Sequence, residues 1–250
     1  MRFKIEWIIV VVIALIVTGC APSANAEADC TKPKFDEYIY DLNGGAYFRS
    51  STVKTWSVQG EKVVEGISFL YSDNGNLKLG TIQHVAEMTK SGCTYIGVPG
   101  ANFYGILNGE KFSPTAGTVD QFYSYQLSPG ASRTLQQFID NGILEPLVLG
   151  TNHSIQIGDL IAIPREDTGL LTVYVITGFQ DGQWVAQTDG ALGIICRGRS
   201  GGPILMLSAD GYYTNTVIGV ISAIDTHDEY RIIDETGNLC SMKLYFTPIK

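Results

Sequence analysis

Beyond Asp29 the sequence is written almost wholly in short runs of Val, Ile, Tyr, Phe and Thr, separated by Gly, Asn and Asp. Ile67-Ser68-Phe69-Leu70-Tyr71 leads into Asp73-Asn74-Gly75-Asn76. Leu171-Thr172-Val173-Tyr174-Val175-Ile176 and Val217-Ile218-Gly219-Val220-Ile221 are further runs of the same kind. β-Branched and aromatic side chains suit a pleated, half-buried surface, while Gly, Asn and Asp supply the backbone angles of tight turns. Many short strands at intervals of about ten residues build an all-β sandwich or barrel. One segment departs from this rhythm. Ser132 to Asn141 carries Leu135, Phe138 and Ile139 at helical spacing with Gly142 behind them, predicting a short helix between two β units.

The N-terminus has a different character. Arg2 and Lys4 precede an unbroken apolar run from Trp7 to Val17, followed by Thr18-Gly19-Cys20-Ala21-Pro22. The run is shorter than the ~20 residues of a membrane-crossing helix, and small residues rather than a basic cluster follow it, as in a bacterial export signal. Val17-Thr18-Gly19-Cys20 resembles a lipoprotein lipobox, which implies that Cys20 is acylated and becomes the new N-terminus. The other reading is a plain signal peptide cut near Ala26. Ala21 to Asp29 are small and polar and read as a tether. The plan is therefore a signal over 1–20, a tether over 21–34 and a folded body anchored to a membrane on the periplasmic or extracellular face of a bacterial cell envelope.

Removing the signal leaves about 230 residues, enough for two small β-barrels or one elaborated domain. The chain has 17 Lys and Arg against 25 Asp and Glu, with no basic cluster beyond the extreme N-terminus. Nothing attracts a phosphate backbone, which argues against nucleic acid as a partner. Apart from Cys20 there are four cysteines, Cys30, Cys93, Cys196 and Cys240. In an exported chain this even number predicts two disulfides, and spacing alone permits three pairings. There is no Cys-x-x-Cys or His-x-x-x-His, and His84, His153 and His227 lie far apart, so no metal or other cofactor is expected. The oligomeric state is not legible.

The segment with chemical content is Gly198-Arg199-Ser200-Gly201-Gly202-Pro203. A serine hydroxyl is a poor nucleophile until an imidazole takes its proton, and the imidazole needs a carboxylate to hold its tautomer. The charge developing on the attacked carbonyl needs donors, which main-chain N–H groups at a tight glycine turn supply. Glycines on both sides of Ser200 allow such a turn, and Pro203 argues against a helix starting there.

This run resembles the Gly-Asp-Ser-Gly-Gly-Pro signature of the chymotrypsin-like (trypsin-like) serine proteases at five of six positions, with Arg199 in place of Asp. Gly80-Thr81-Ile82-Gln83-His84-Val85 is similar to the family's Thr-Ala-x-His segment, which implies that His84 is the general base, 116 residues before Ser200. The family order of His, Asp, Ser implies a carboxylate between them. Asp120, opening Asp120-Gln121-Phe122-Tyr123, is the best match, although Gln121 and Phe122 replace the usual small aliphatic pair; Asp140 and a side chain other than Asp are the reserves. Val217 to Ser222 resembles the strand that pairs with substrate, which implies a substrate-binding place for Ser222 beside the triad carboxylate. The N–H groups of Gly198 and Ser200 would form the oxyanion hole. By family position Ile194 lies at the base of the specificity pocket and Ile224 in its wall, favouring small or medium apolar side chains. The same resemblance implies Cys196–Cys240, leaving Cys30–Cys93.

The resemblance implies two antiparallel Greek-key β-barrels. One covers 35–130 with His84 and Asp120, a connection with a short helix covers 131–150, and a second barrel covers 151–250 with Ser200. The chain ends at Lys250 just after Leu244 to Ile249, so the family's C-terminal helix is expected to be missing or truncated. Arg199 cannot receive a freed ammonium, so a zymogen switch of the trypsin kind is not expected. Protein or peptide is the implied substrate, cleaved through an acyl-enzyme.

Two other readings stay open. Gly198-Arg199-Ser200-Gly201-Gly202 also satisfies the Gly-x-Ser-x-Gly elbow of α/β-hydrolases, with Asp225 and His227 downstream, which would make an esterase; that elbow needs a helix after the serine. The altered residue 199 and the context of Asp120 motivate a protease-like binding lipoprotein without catalysis.

Overall fold

In the computed structural model the described residues are 52–59, 62–88, 93–97, 104–106, 121–127, 129–142, 144–150, 154–164, 171–190, 193–208, 213–235 and 237–249. Six strands form the N-terminal sheet: β1 (Thr52–Gln59), β2 (Lys62–Asp73), β3 (Asn76–Ile82), β4 (Cys93–Gly97), β5 (Tyr104–Ile106) and β6 (Phe122–Gln126). Their order is β5-β4-β1-β2-β3-β6, and every pairing is antiparallel. Asp73 pairs with Asn76, so β2 and β3 are joined by Asn74-Gly75 alone. Both linking residues have positive φ, 50° and 79°, the geometry that a two-residue hairpin requires and that Asn-Gly adopts most readily.

Two helices accompany this sheet. α1 (Gln83–Met88) begins where β3 stops, and α2 (Pro129–Asp140) follows β6. The start of α2 lies three residues before the Ser132 read from apolar spacing, with Pro129 in the first turn where its missing N–H is not needed. Leu135 is fully buried against Leu70, Leu79, Tyr123 and Tyr125, with Phe138 and Ile139 packed alongside. Gly142, at φ 70°, turns the chain out of the helix and donates its N–H to the Ile139 carbonyl.

The C-terminal strands are β7 (Val148–Leu149), β8 (Leu160–Pro164), β9 (Leu171–Gln180), β10 (Gln183–Gln187), β12 (Pro203–Leu207), β13 (Tyr213–Ile224) and β16 (Lys243–Pro248). Six of them run β12-β8-β9-β10-β16-β13, and β13 pairs back to β12, closing an antiparallel barrel. β7 joins β13 in parallel from outside the ring. The barrel interior is filled by Ile161, Ile163, Tyr174, Ile176, Ile204, Ile218, Leu244 and Phe246, all buried. Between β10 and β12 lies β11 (Ile195–Cys196), which pairs with β15 (Leu239–Ser241), itself paired with β14 (Arg231–Ile233).

Of the two barrels implied by the resemblance, one is closed. The N-terminal strands form a six-stranded sheet, with no pairing between β5 and β6 among the described residues. A shared cluster joins the two halves. Phe69, Tyr71, Ile82 and Val85 pack with Ala162, Leu205, Val217, Val220 and Ile249, all buried. Fully burying one such side chain contributes about 2 kcal/mol, so this seam is a substantial attachment.

Candidate active site

At this seam the turn that carries Ser200 meets the end of β3, two residues before His84. Ser200 lies between β11 and β12, half-buried, in a turn whose flanking glycines have positive φ, 87° at Gly198 and 86° at Gly201. The Ser200 carbonyl accepts from the Ile67 N–H on β2 at 3.0 Å. Gly201 is seated so closely on the end of β3 that a Cβ there would run into Thr81 Oγ1 and the Ile67 carbonyl, and would stand 3.3 Å from Ile82 N. Thr81 Oγ1 itself donates to the Ile67 carbonyl at 2.7 Å, so β2, β3 and the serine turn are locked through a few buried polar atoms. His84 follows Ile82 by two residues, in the first turn of α1, and is half-buried.

The remaining amides of the serine turn are sorted by geometry. Gly201 N–H donates to the Ile221 carbonyl at 2.8 Å and Gly202 N–H to the Arg199 carbonyl at 3.1 Å. Neither Gly198 N–H nor Ser200 N–H donates to a main-chain group among the described residues. Those are the two donors an oxyanion hole would use.

The Ser200 hydroxyl donates to the Ser222 carbonyl at 3.2 Å. Ser222 is buried, and its own Oγ accepts from Gln183 Nε2. On the β12 side the pairing of β13 stops at Pro203–Val220, so Ser222, Ala223 and Ile224 carry a strand edge with no strand beside it among the described residues. An extended peptide could add there through main-chain hydrogen bonds.

Asp120 lies outside the described residues. Its chain neighbour is informative, because the Gln121 carbonyl accepts from the Gln83 N–H at 2.8 Å. The positions next to Asp120 and His84 are thus bonded to one another. Asp140, the reserve carboxylate, ends α2, is exposed and accepts from Gln136 Nε2 at 2.9 Å. Ile194 is half-buried just before β11, and Ile224 is half-buried on β13, opposite Leu244. Ile194 thus leads into the three-stranded sheet, whereas Ile224 stands on the barrel.

Cys196 and Cys240 form a disulfide across the β11–β15 pair. It ties the chain four residues before Ser200 to β15, and the Arg197 N–H adds a bond to the Leu239 carbonyl at 2.9 Å. Asp234 approaches both sulfurs, but a disulfide offers no thiolate to a cation, so this cluster is not a metal site. Cys20, Cys30 and His153 lie outside the described residues, as does the side chain of Cys93.

Sequence reasoning missed a buried ion pair beyond Ile224. Asp225, only 4 % exposed, meets Lys243 Nζ and the Tyr245 hydroxyl, each 3.0 Å from its Oδ2, while the His227 N–H reaches its Oδ1 at 2.9 Å. Burial opposes the charge on Asp225, but these donors outweigh it and hold the carboxyl below its ordinary range. The hydrogen bond to Asp225 raises the Lys243 ammonium above its own, and that ammonium also lies 4.6 Å from the centre of the Tyr230 ring. The esterase reading is overturned here. A strand, not a helix, follows Ser200; Asp225 is occupied by Lys243 and Tyr245; and among the described residues the sheets are antiparallel apart from the β7–β13 pair and one isolated bridge.

No protein-family model matches the sequence, and no curated protein is significantly similar to it. Solved structures do match. A thermostable serine protease, AL20, from an extremophilic microorganism is 9% identical with a TM-score of 0.51, over 79% of this chain and 90% of that one. The HtrA-type protease AlgW with a tripeptide is 17% identical with a TM-score of 0.48, over 80% of this chain and 57% of that one. The Rv3671c protease of M. tuberculosis in its active form is 18% identical with a TM-score of 0.43, over 80% of each chain. The chain therefore spans 57% of the length of the HtrA-type protease it matches. At these identities the likeness concerns the fold: a mostly β structure with one closed six-stranded antiparallel barrel, resembling that of serine proteases.

Proposed function

We propose that this chain is an exported serine endopeptidase of the chymotrypsin-like kind, anchored to a bacterial membrane through lipidated Cys20. Ser200 would attack the peptide carbonyl and His84 would take its proton. Asp120 would hold the imidazole, and the N–H groups of Gly198 and Ser200 would receive the oxyanion. The acyl group passes to Ser200, the leaving amine takes the proton from His84, and water then releases the acyl-enzyme. The edge of Ser222 to Ile224 would pair with the substrate backbone, with Ile194 and Ile224 favouring a small or medium apolar side chain before the cleaved bond.

The observation that carries this reading is the docking of the serine turn on Ile67 of β2 and, through Gly201, on the end of β3 at Ile82, two residues before His84. Hydrolysis of a fluorogenic casein by the purified protein tests it. Replacing His84 or Asp120 by Ala is expected to lower turnover by about 10⁴-fold each. Unchanged turnover in Asp120→Ala would move the carboxylate elsewhere, and no turnover in the unmodified protein would count against the peptidase.

One contact favours a second reading, a protease-like binding lipoprotein. The Ser200 hydroxyl donates to a main-chain carbonyl rather than to an imidazole. In that case peptide would bind along the Ser222 edge without being cut.

A further inference from the structure

Ser222 is an extra residue in its ladder. On β16, Phe246 and Tyr245 are consecutive, yet they pair with Ile221 and Ala223, so Ser222 is bulged out of the β13–β16 pairing. A bulge re-aims the residue it carries. Here the Ser222 carbonyl accepts from the Ser200 hydroxyl, while its side chain reaches Gln183 at the start of β10. The Gln183 amide crosses over β16 to do this, donating to Ser222 Oγ and, at 3.5 Å, to Thr247 Oγ1. Ser222 and Thr247 are each only 7% exposed, so the amide joins three strands of the barrel through buried hydroxyls.

We propose that Gln183 is a positioning residue of the candidate active site, pinning the Ser222 bulge so that its carbonyl faces Ser200. The argument is one of connectivity. Bulges are places where pairing is locally lost, and this one lies at the point where β13 loses its β12 neighbour, so Ser222 has no pairing partner on either side among the described residues. The Gln183 bridge supplies the restraint that the ladder lacks. Its geometry is suited to that and to little else: a planar amide with two N–H groups, placed between two hydroxyl oxygens on neighbouring strands. Gln183 does not touch Ser200 and acts through Ser222.

This role rests on the peptidase reading, and the test separates the two. The full chain is labelled with a fluorophosphonate, and the rate at saturating probe is measured apart from the concentration giving half that rate. Gln183→Met keeps the length of the side chain and removes the bridge; about a tenfold fall in the saturated rate is expected, with the half-saturating concentration little changed. Gln183→Glu can still bridge by accepting from both hydroxyls, and is expected to recover most of that rate. Ser222→Ala cuts the same bridge from the other side, should give the same fall, and should leave Gln183→Met with no further effect in the double variant. A wild-type rate in Gln183→Met, or losses that add in the double variant, would overturn the positioning role alone. Should Gln183→Met fail to fold, a wild-type rate in Ser222→Ala would overturn it equally. No labelling of the unmodified protein would overturn the peptidase reading, and this role with it.

Discussion

The two sides of the candidate site are held in different ways. Around Ser200 the support is redundant: a disulfide four residues upstream, the β11–β15 pairing, a main-chain bond from Gly201 to Ile221, and a closed barrel behind them. His84 stands in a six-residue helix at the end of β3, tied to the rest of its sheet through Gln83 and Gln121. The contrast fits the demands of the proposed chemistry. A nucleophile turn that must present two main-chain N–H groups to one oxygen needs its backbone fixed, whereas an imidazole finds its partners by rotating about its own side-chain bonds. The least independent part is the junction, where a single glycine seats the first side on the second.

That junction is where the comparison can be broken most severely. Gly201→Ala adds a Cβ against Thr81 and the Ile67 carbonyl at a residue whose φ is 86°, and is expected to cost about 4 kcal/mol, read in urea unfolding, with activity lost at the same time. The turn should be displaced from β3 while the disulfide and barrel persist.

A change confined to the serine side sharpens the comparison. Lys243→Met leaves the buried Asp225 carboxylate without its cation and is expected to cost about 3 kcal/mol. The same pair sets a pH window. Asp225, held below its ordinary pKa, stabilises the fold above about pH 4, and the gain is lost as pH falls through its folded value. Lys243, held above its own, stabilises below about pH 10, and the gain is lost as pH rises past its raised value. Stability measured against pH should show both flanks in the natural protein and both reduced in Lys243→Met.

The smallest effect belongs to the other partner at the junction. Thr81→Val keeps the shape but removes the hydrogen bond to Ile67, for an expected loss of about 1.5 kcal/mol. A loss as large as that of Gly201→Ala would place the weakness in β3 rather than in the serine turn.

How much of this could be read from the chain depended on how local the cause was. Asn74-Gly75 and the glycines around Ser200 are legible because their backbone angles are nearly private to those residue types. The same logic applied to Asp181-Gly182, both at positive φ between β9 and β10, would have found a second hairpin. The helix was readable from the spacing of Leu135, Phe138 and Ile139, though its first turn was not, because Pro129 and Gly130 carry no apolar signal. Asp225 gave no sign of an ion pair in the sequence, since its partner Lys243 is supplied by a distant strand. Gln183 was silent for the same reason: one glutamine beside a turn says nothing until a bulge places Ser222 across from it.

The central claim is that the turn docked on β3 carries an activated serine. Fluorophosphonate treatment of the purified protein, followed by mass spectrometry of its peptides, tests this most directly. The account predicts one phosphonyl adduct, on Ser200, abolished by Ser200→Ala and strongly slowed by His84→Ala. No adduct, or one that survives Ser200→Ala, would contradict it.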